Sequence, residues 1–286
     1  MVITRSVVLR FCNLVTFILV LVISGLGFRF PFGTHALVSG EPSSLDDSVP
    51  HIVVWVIVFG TMLVFVVYQL LPRTYRYEYI NHGITPYFIV QCMIYSVGGI
   101  VHICLVKTSP YMEVITLTVV LMCQVISYLT VSSIIARNLV EEEGSDDHFY
   151  LNYCFGRAWL SLHLAWIACS LLGNGIVAIS KMFSFNYIVS IIAFCGMGLF
   201  TLIFLFKEHD ALFGAVVVWE SVWLAISTYA ASEAGDGTWY IFISVVVVGS
   251  VVGLATIATL IRNILYLIER AKQRQVVPLR KNDALP

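Results

Sequence analysis

The sequence predicts an all-α protein, a polytopic membrane helix bundle with about eight transmembrane helices. Hydrophobic residues make up 59% of the 286 residues and charged residues only 12%, and the mean hydropathy is +0.91. A soluble domain carries about 25% charged residues and could not hide this much apolar surface from water. The apolar residues also gather into segments of about 20 residues, the length that crosses the hydrocarbon core of a bilayer.

Eight segments have this length, and short polar stretches separate them. A Pro72-Arg73 pair follows the second segment, and the turn 107–110 follows the third. The acidic run 141–147 divides the chain into two halves of four segments. The chain is expected to form one membrane domain over 1–286, with helices at about 8–28, 51–71, 85–106, 111–136, 154–179, 185–206, 211–231 and 238–265.

Several segments are rich in Val and Ile, as in the run 245–248. In water such runs would favour strands. In lipid the backbone must satisfy its own hydrogen bonds, which leaves helices or closed barrels. Barrel strands alternate apolar and polar residues over about ten positions. These runs are apolar on every face and about twice as long, so helices are predicted.

The basic residues predict that both termini are cytoplasmic, because cytoplasmic flanks are enriched in Lys and Arg. With an even helix number, thirteen of the sixteen basic residues fall on the side of the termini, and three (Arg29, Lys107 and Lys181) fall opposite. The first segment has no small-x-small cleavage site and is interpreted as an uncleaved helix. The basic tail 266–286 either touches anionic lipid or simply flanks the last helix.

The composition and motifs exclude several classes of function. A net charge of −1 argues against a nucleic-acid partner. The seven cysteines include no C-x-x-C pair, so neither a zinc site nor a redox pair is indicated. Protease, hydrolase and phosphate-loop motifs are absent from the sequence. We therefore expect no catalytic residue, metal or cofactor and no enzyme; membrane lipid is the expected partner, and the oligomeric state stays open.

The fifth segment carries the most polar and aromatic face of the chain. Trp159, His163 and Trp166 are spaced i, i+4 and i+7, so they share one face of a helix, and Ser170 and Asn174 continue it. An aromatic lining with a few polar groups is typical of a small-molecule pocket. The alternative is that these side chains fill space between helices and bond to neighbouring backbone.

Glu220 is the clearest ionisable residue at bilayer depth. It lies near the middle of the seventh segment, flanked by Trp219 and Trp223. Because a charge facing lipid is costly, we expect Glu220 to point into the bundle. It then either forms a structural hydrogen bond or serves a ligand or a proton. Arg157, near the start of the fifth segment, either snorkels to the interface or pairs with Glu220; snorkelling is favoured.

Other residues predict helix contacts rather than function. Small residues allow close helix approach, and polar side chains can bond across helices. The glycine candidates are Gly98-Gly99, Gly173-x-Gly175 and Gly196-x-Gly198, and the polar candidates are Gln91, His102 and Gln124.

Three stretches resemble the tryptophan-rich sensory protein (translocator protein) family, above all its longer multi-helix relatives. They are residues 50–72 with Trp55, residues 165–174 with Trp166 and Asn174, and residues 207–219 with Trp219. The family's Pro-Ala-Gly before the first Trp helix is reduced here to Pro50 and His51, and the helix number is eight rather than five. Five-helix members bind tetrapyrroles and sterols between their helices. The resemblance therefore implies an aromatic pocket between helices, without naming a ligand.

The sequence thus predicts a multi-pass protein that binds or carries a small lipophilic ligand. The candidate ligand-binding residues are Trp55, Trp159, His163, Trp166, Asn174, Trp219, Glu220 and Trp223. Two alternatives stay open. One is a proton-coupled solute transporter in which Glu220 and His163 titrate, and the other is a structural or scaffolding membrane protein without a ligand.

Overall fold

The chain forms eight α-helices in the part that a computed structural model describes, residues 2–26, 49–71, 80, 84–104, 110–141, 156–183, 187–232 and 238–282. The helices are α1 (Val2–Leu26), α2 (Val49–Tyr68), α3 (Thr85–Cys104), α4 (Pro110–Glu141), α5 (Ala158–Phe183), α6 (Tyr187–Glu208), α7 (Ala211–Ser232) and α8 (Thr238–Asn282). These described residues include no strand, and the predicted all-α class is confirmed.

Local sequence explains where several helices begin and end. Pro50, Pro86 and Pro110 lie in the first turn of their helices, where the missing N–H costs nothing. At the other end of the chain, α8 passes the expected limit at 265 and continues to Asn282. Residues 269–275 are Glu, Arg, Ala, Lys and Gln, which are strong helix formers, so the helix propagates through the basic tail.

Five of the helices contain stretches that are long and apolar enough to cross a membrane. These are Val114–Ile134, Ala158–Ile176, Tyr187–Glu208, Ala211–Tyr229 and Trp239–Glu269, while Val7–Ile23 and Val56–Tyr68 are shorter apolar stretches. Large apolar side chains such as Ile192, Phe206 and Leu254 are 66–70% exposed. Such an apolar outer surface is suited to lipid, and the protein is a multi-pass membrane protein. The cytoplasmic position of the termini stays a prediction.

The fifth helix lies at the centre of the bundle. It packs against α2, α4, α6 and α7. Around it, α1 packs on α3 and α3 on α4 in the first half, while α8 packs on α6 and α7 in the second half. The apolar stretch of α5 has 56% of its residues buried, against 17–44% in the other four spanning stretches. Much of the contact between the two halves of the bundle is therefore formed by residues of α5.

Close helix contacts form at some of the predicted glycines. A β-carbon built on Gly98 would lie 2.8 Å from Thr116, and one built on Gly198 would lie 2.5 Å from Val248. Gly175 and Gly196 meet no atom of the described structure within 4 Å, so the prediction was wrong for these two. Among the glycines of the described residues, the tightest approach is at Gly214, against Thr256, and Gly214 is not one of the predicted glycines.

A two-residue turn joins α6 to α7. His209 has a φ of 54°, in the left-handed region that few non-glycine residues adopt. The middle of α8 supports this turn, because Asn263 Nδ2 donates to the His209 carbonyl at 2.9 Å and Arg262 Nη1 lies 3.1 Å from His209 Nδ1. The next residue, Asp210, caps α7 by accepting the Phe213 backbone N–H at 3.2 Å.

We expect Gly214→Ala to destabilise the protein by about 1–3 kcal/mol, the usual cost of overpacking. The new β-carbon would collide with Thr256 Oγ1 and lie 3.2 Å from Thr256 Cβ. Thr256 cannot rotate freely, because its hydroxyl donates to the Val252 carbonyl at 2.8 Å. The measurement is the midpoint of thermal unfolding in detergent. Gly60→Ala is the matched control: its β-carbon meets nothing within 4 Å among the described residues, so stability should be equal or higher.

Candidate functional site

An aromatic cluster surrounds the inner face of α5, and Trp159 contacts rings of two neighbouring helices. The indole stacks on Phe65 of α2 with 5.0 Å between ring centroids. Phe88 of α3 meets it edge-on at 5.6 Å. Trp159 is 1% exposed and Phe65 is fully buried. Offset or edge-to-face ring pairs at these distances add about 0.5–1.5 kcal/mol each beyond the burial of their area.

The cluster continues along α5 through the other two predicted residues. His163 stacks on Tyr95 of α3 at 6.1 Å and on Trp166 at 6.0 Å. Trp166 meets Phe59 of α2 edge-on at 6.2 Å. The predicted shared face of Trp159, His163 and Trp166 is therefore present and turned towards α2 and α3. The aromatic cluster consists of Phe59, Phe65, Phe88, Tyr95, Trp159, His163 and Trp166.

A chain of two amides connects His163 to α3. Gln124 of α4 places its Nε2 2.5 Å from Gln91 Oε1 and 2.6 Å from His163 Nδ1. An amide nitrogen carries two hydrogens and can donate to both atoms. His163 Nδ1 is then an acceptor, so the neutral imidazole carries its proton on Nε2. Gln91, Gln124 and His163 are at most 1% exposed, which makes this amide chain a fully buried polar feature.

Several polar atoms of the aromatic cluster and the amide chain have no hydrogen-bond partner among the described residues. They are Gln91 Nε2, Tyr95 Oη, Gln124 Oε1, Trp159 Nε1 and His163 Nε2. Leaving one such buried group unpaired costs about 1–3 kcal/mol, so native proteins pair nearly all of them. Five such atoms within one cluster mark the place where the described fold leaves hydrogen-bonding capacity unused.

Glu220 approaches the cluster from α7. Its side chain is 8% exposed, so the expectation that it points into the bundle fits its placement. It lies within electrostatic range of the Cys169 thiol. Cys169 follows Trp166 by three residues, or about one turn of α5. Glu220 thus lies about one helical turn beyond the cluster, at the contact between α5 and α7.

The remaining predicted residues lie elsewhere. Trp219 is 37% exposed and meets Trp223 edge-on at 5.9 Å, so this pair belongs to the outer side of α7. Asn174 Nδ2 donates to the Ser170 carbonyl of its own helix at 3.0 Å, about 12 Å along α5 from Trp166. Trp55 lies on α2, but its side chain is outside the described residues.

A second polar cluster, the Asp210 clasp, joins α4, α5 and the α6–α7 turn. Asp210 Oδ2 accepts from the Tyr128 hydroxyl at 2.6 Å and from the Ser161 hydroxyl. Arg157 donates to Tyr128 Oη at 2.7 Å and pairs with Glu208 at 3.3 Å. The Arg157 guanidinium also lies 5.1 Å from the centre of the Tyr128 ring. The clasp contains these five residues: Tyr128, Arg157, Ser161, Glu208 and Asp210.

The clasp gives Arg157 partners within the protein. The sequence favours a side chain that snorkels to the interface, and the structure pairs Arg157 with Glu208 and Tyr128 beside the α6–α7 turn. The sequence places Asp210 in a short hairpin loop, yet its side chain is 1% exposed. The signal for this role is its position directly before an apolar run, which is typical of a helix cap. Nothing in the sequence around Tyr128 marks its role, because its partners are 29 and 82 residues away.

A third buried polar group holds the first three helices together. Arg10 of α1 donates to the Gln69 backbone carbonyl at the end of α2. Asn13 Nδ2 donates to Gln69 Oε1 at 2.7 Å and lies 3.4 Å from Thr85 Oγ1 of α3. Arg10 is 1% exposed. The basic pattern of the sequence predicts that this arginine lies on the cytoplasmic side, and the structure shows that its side chain is buried between helices.

Comparison with known proteins assigns the chain to one family. A family model described as TSPO-like protein matches residues 10–261, a range that contains the aromatic cluster, the amide chain and the Asp210 clasp. No curated protein and no solved structure matches the chain.

We expect Tyr128→Phe to destabilise the protein by about 1–3 kcal/mol, because it leaves Asp210 without one donor and Arg157 without one acceptor. Thermal unfolding in detergent measures the effect. Tyr240→Phe is the matched control, since Tyr240 is 59% exposed and contacts Tyr187 through its ring. Equal unfolding midpoints for the two variants would contradict a stabilising role of the clasp.

Proposed function

Because the chain belongs to the TSPO-like protein family, we propose that it binds a small lipophilic molecule at the aromatic cluster, between α2, α3 and α5. In this proposal the protein binds or carries its ligand and performs no chemistry on it. Members of the family that the sequence resembles bind tetrapyrroles and sterols between their helices. By analogy, we expect the ligand of this protein to bind between helices, and its identity is to be determined by experiment.

The single observation that carries the proposal is the buried aromatic face of α5. Trp159, His163 and Trp166 contact rings of two other helices at 5.0–6.2 Å, and polar atoms of the same cluster lack protein partners in the described structure. Small-molecule sites combine large apolar and aromatic area with a few polar groups. The aromatic cluster and the amide chain have this composition.

Access to the cluster requires movement of the helices around it, since its rings other than Tyr95 are at most 5% exposed. Phe59 and Phe65 lie on α2, whose contact with α5 consists largely of apolar side chains. Between apolar surfaces in lipid there is no hydrophobic driving force that favours contact with protein over contact with lipid. A lipophilic ligand that enters between α2 and α5 therefore replaces ring contacts with contacts of similar strength.

Transport coupled to protons is the second candidate, and the buried carboxyl of Glu220 is the observation that favours it. An ionisable residue within a membrane helix is a functional candidate by default. Glu220 lies within electrostatic range of Cys169 of α5, about one helical turn from the aromatic cluster. A proton taken up there could alter the packing of α5. A protein without a ligand is the third possibility, in which the cluster only fills space.

Trp166→Phe should weaken ligand binding by about 3–10-fold, because the free energy of one aromatic ring pair corresponds to a change of this size in the dissociation constant. The measurement is quenching of tryptophan fluorescence in purified protein by a panel of porphyrins and sterols. Trp239→Phe is the matched control: it also removes one of six tryptophans, but Trp239 is 48% exposed near the start of α8. If no compound gives saturable quenching, the ligand-binding proposal fails.

Glu220→Gln keeps the shape of the side chain but removes its titrating proton. If the protein binds ligand without proton coupling, vesicles that contain the wild type and vesicles that contain the variant should dissipate an imposed pH gradient at the same rate. A faster rate for the wild type, with solute present, would favour the transporter. Ligand affinity is measured in parallel, and a loss of about threefold or more would place Glu220 beside the ligand.

A further inference from the structure

With Gln124 oriented so that its Nε2 donates, most of the unpaired polar atoms of the site are donors. Trp159 Nε1 carries a hydrogen and can only donate. The contacts of Gln124 leave the proton of His163 on Nε2, and they occupy Gln91 Oε1, which leaves Gln91 Nε2 as a donor. Among the unpaired atoms of the described cluster, three are therefore donors, while Gln124 Oε1 is an acceptor and the Tyr95 hydroxyl can be either.

These donors belong to one compact group. Trp159 and His163 are one turn apart on α5, with 6.3 Å between their ring centroids. Tyr95 stacks on His163, and Gln91 reaches His163 through Gln124. All of them except Tyr95 are at most 1% exposed. Donors outnumber acceptors in this group, so an oxygen that only accepts satisfies more of its atoms than a hydroxyl, which uses one position to donate.

The donors of this group are also neutral. An indole, an amide and a neutral imidazole donate hydrogens without carrying charge. The nearest described guanidinium along α5, that of Arg157, is engaged by Tyr128 and Glu208 in the Asp210 clasp. A buried carboxylate needs a charged partner to offset its desolvation, whereas a carbonyl oxygen needs only neutral donors. The chemistry of the group therefore suits an uncharged oxygen.

We propose that the Trp159–His163–Gln91 donors bind the carbonyl oxygen of a neutral lipophilic ligand, such as a ketone, ester or amide. The inference rests on the proposed function. It states which polar group the ligand carries, while the apolar body of the same ligand lies among the rings of the aromatic cluster. It adds a chemical class to that function. A carbonyl oxygen has two lone pairs and can accept up to two hydrogen bonds.

The experiment compares three compounds that share one rigid four-ring hydrocarbon skeleton: a ketone, the corresponding secondary alcohol and the parent hydrocarbon. Binding to the full-length protein in detergent is measured by tryptophan quenching. The ketone should bind about tenfold more tightly than the hydrocarbon, as two neutral hydrogen bonds predict, and more tightly than the alcohol. The infrared C=O stretch of the bound ketone should shift to lower frequency relative to the ketone in detergent alone.

Two variants test the donors. His163→Phe keeps a ring for stacking but removes Nε2–H, and it should reduce the affinity difference between ketone and hydrocarbon to about threefold and the infrared shift with it. Gln124→Leu breaks the amide chain and should have the same effect. The matched control is Thr228→Val: Thr228 is fully buried, and its hydroxyl bonds only within α7, to the Leu224 and Ala225 carbonyls. This variant should bind all three compounds like the wild type.

The outcomes separate the two proposals. If the hydrocarbon or the alcohol binds as tightly as the ketone, the carbonyl assignment is overturned while the lipophilic site stands. A bound ketone with no infrared shift also overturns the carbonyl assignment, because its oxygen then has no donor from the protein. If none of the three compounds, and no porphyrin or sterol, binds saturably, the proposed function fails and the assignment fails with it.

Discussion

A polar side chain inside hydrocarbon must find its partner within the protein, and α5 is where this bundle meets that requirement. Water cannot hydrogen-bond to groups at bilayer depth, so each unpaired one costs free energy. The polar residues of α5 are accordingly turned towards other helices: Arg157 and Ser161 towards the Asp210 clasp and His163 towards the amide chain. The packing of the two halves follows from these bonds, because α5 contacts helices of both.

The clasp and the aromatic cluster use opposite faces of the same helix. Ser161 lies two residues from both Trp159 and His163, which corresponds to about 200° around a helix. When Ser161 bonds to Asp210 of the α6–α7 turn, the rotation of α5 is set, and the rings face α2 and α3. A polar contact at one end of the helix thus orients the apolar surface that forms the candidate site. The clasp therefore helps to orient the aromatic face of α5.

Much of the helix pattern could be predicted because it is local. Segment length and apolar composition determine which residues enter helices, and the i, i+4, i+7 spacing of Trp159, His163 and Trp166 determines that they share a face. The partners of that face could not be predicted. Phe65 and Phe88 are ordinary apolar residues in ordinary apolar segments, and nothing in their own spacing marks them as neighbours of Trp159. Gln91 and Gln124 were expected to bond across helices, but their link to His163 depends on the packing of α3, α4 and α5.

The sequence by itself determined that this protein is a multi-pass bundle, since lipid leaves long apolar segments no backbone structure other than the helix. It also determined which face of α5 is aromatic. The cost of a charge in lipid further predicted that the Glu220 side chain points into the bundle rather than towards lipid. Only the tertiary structure decided that Arg157 joins the Asp210 clasp, that Trp219 lies outward, and that the unpaired donors gather beside His163. The physical reason is that an apolar helix surface in lipid is nearly indifferent to its neighbours. The few polar contacts therefore choose the arrangement, and their partners lie far apart in the sequence.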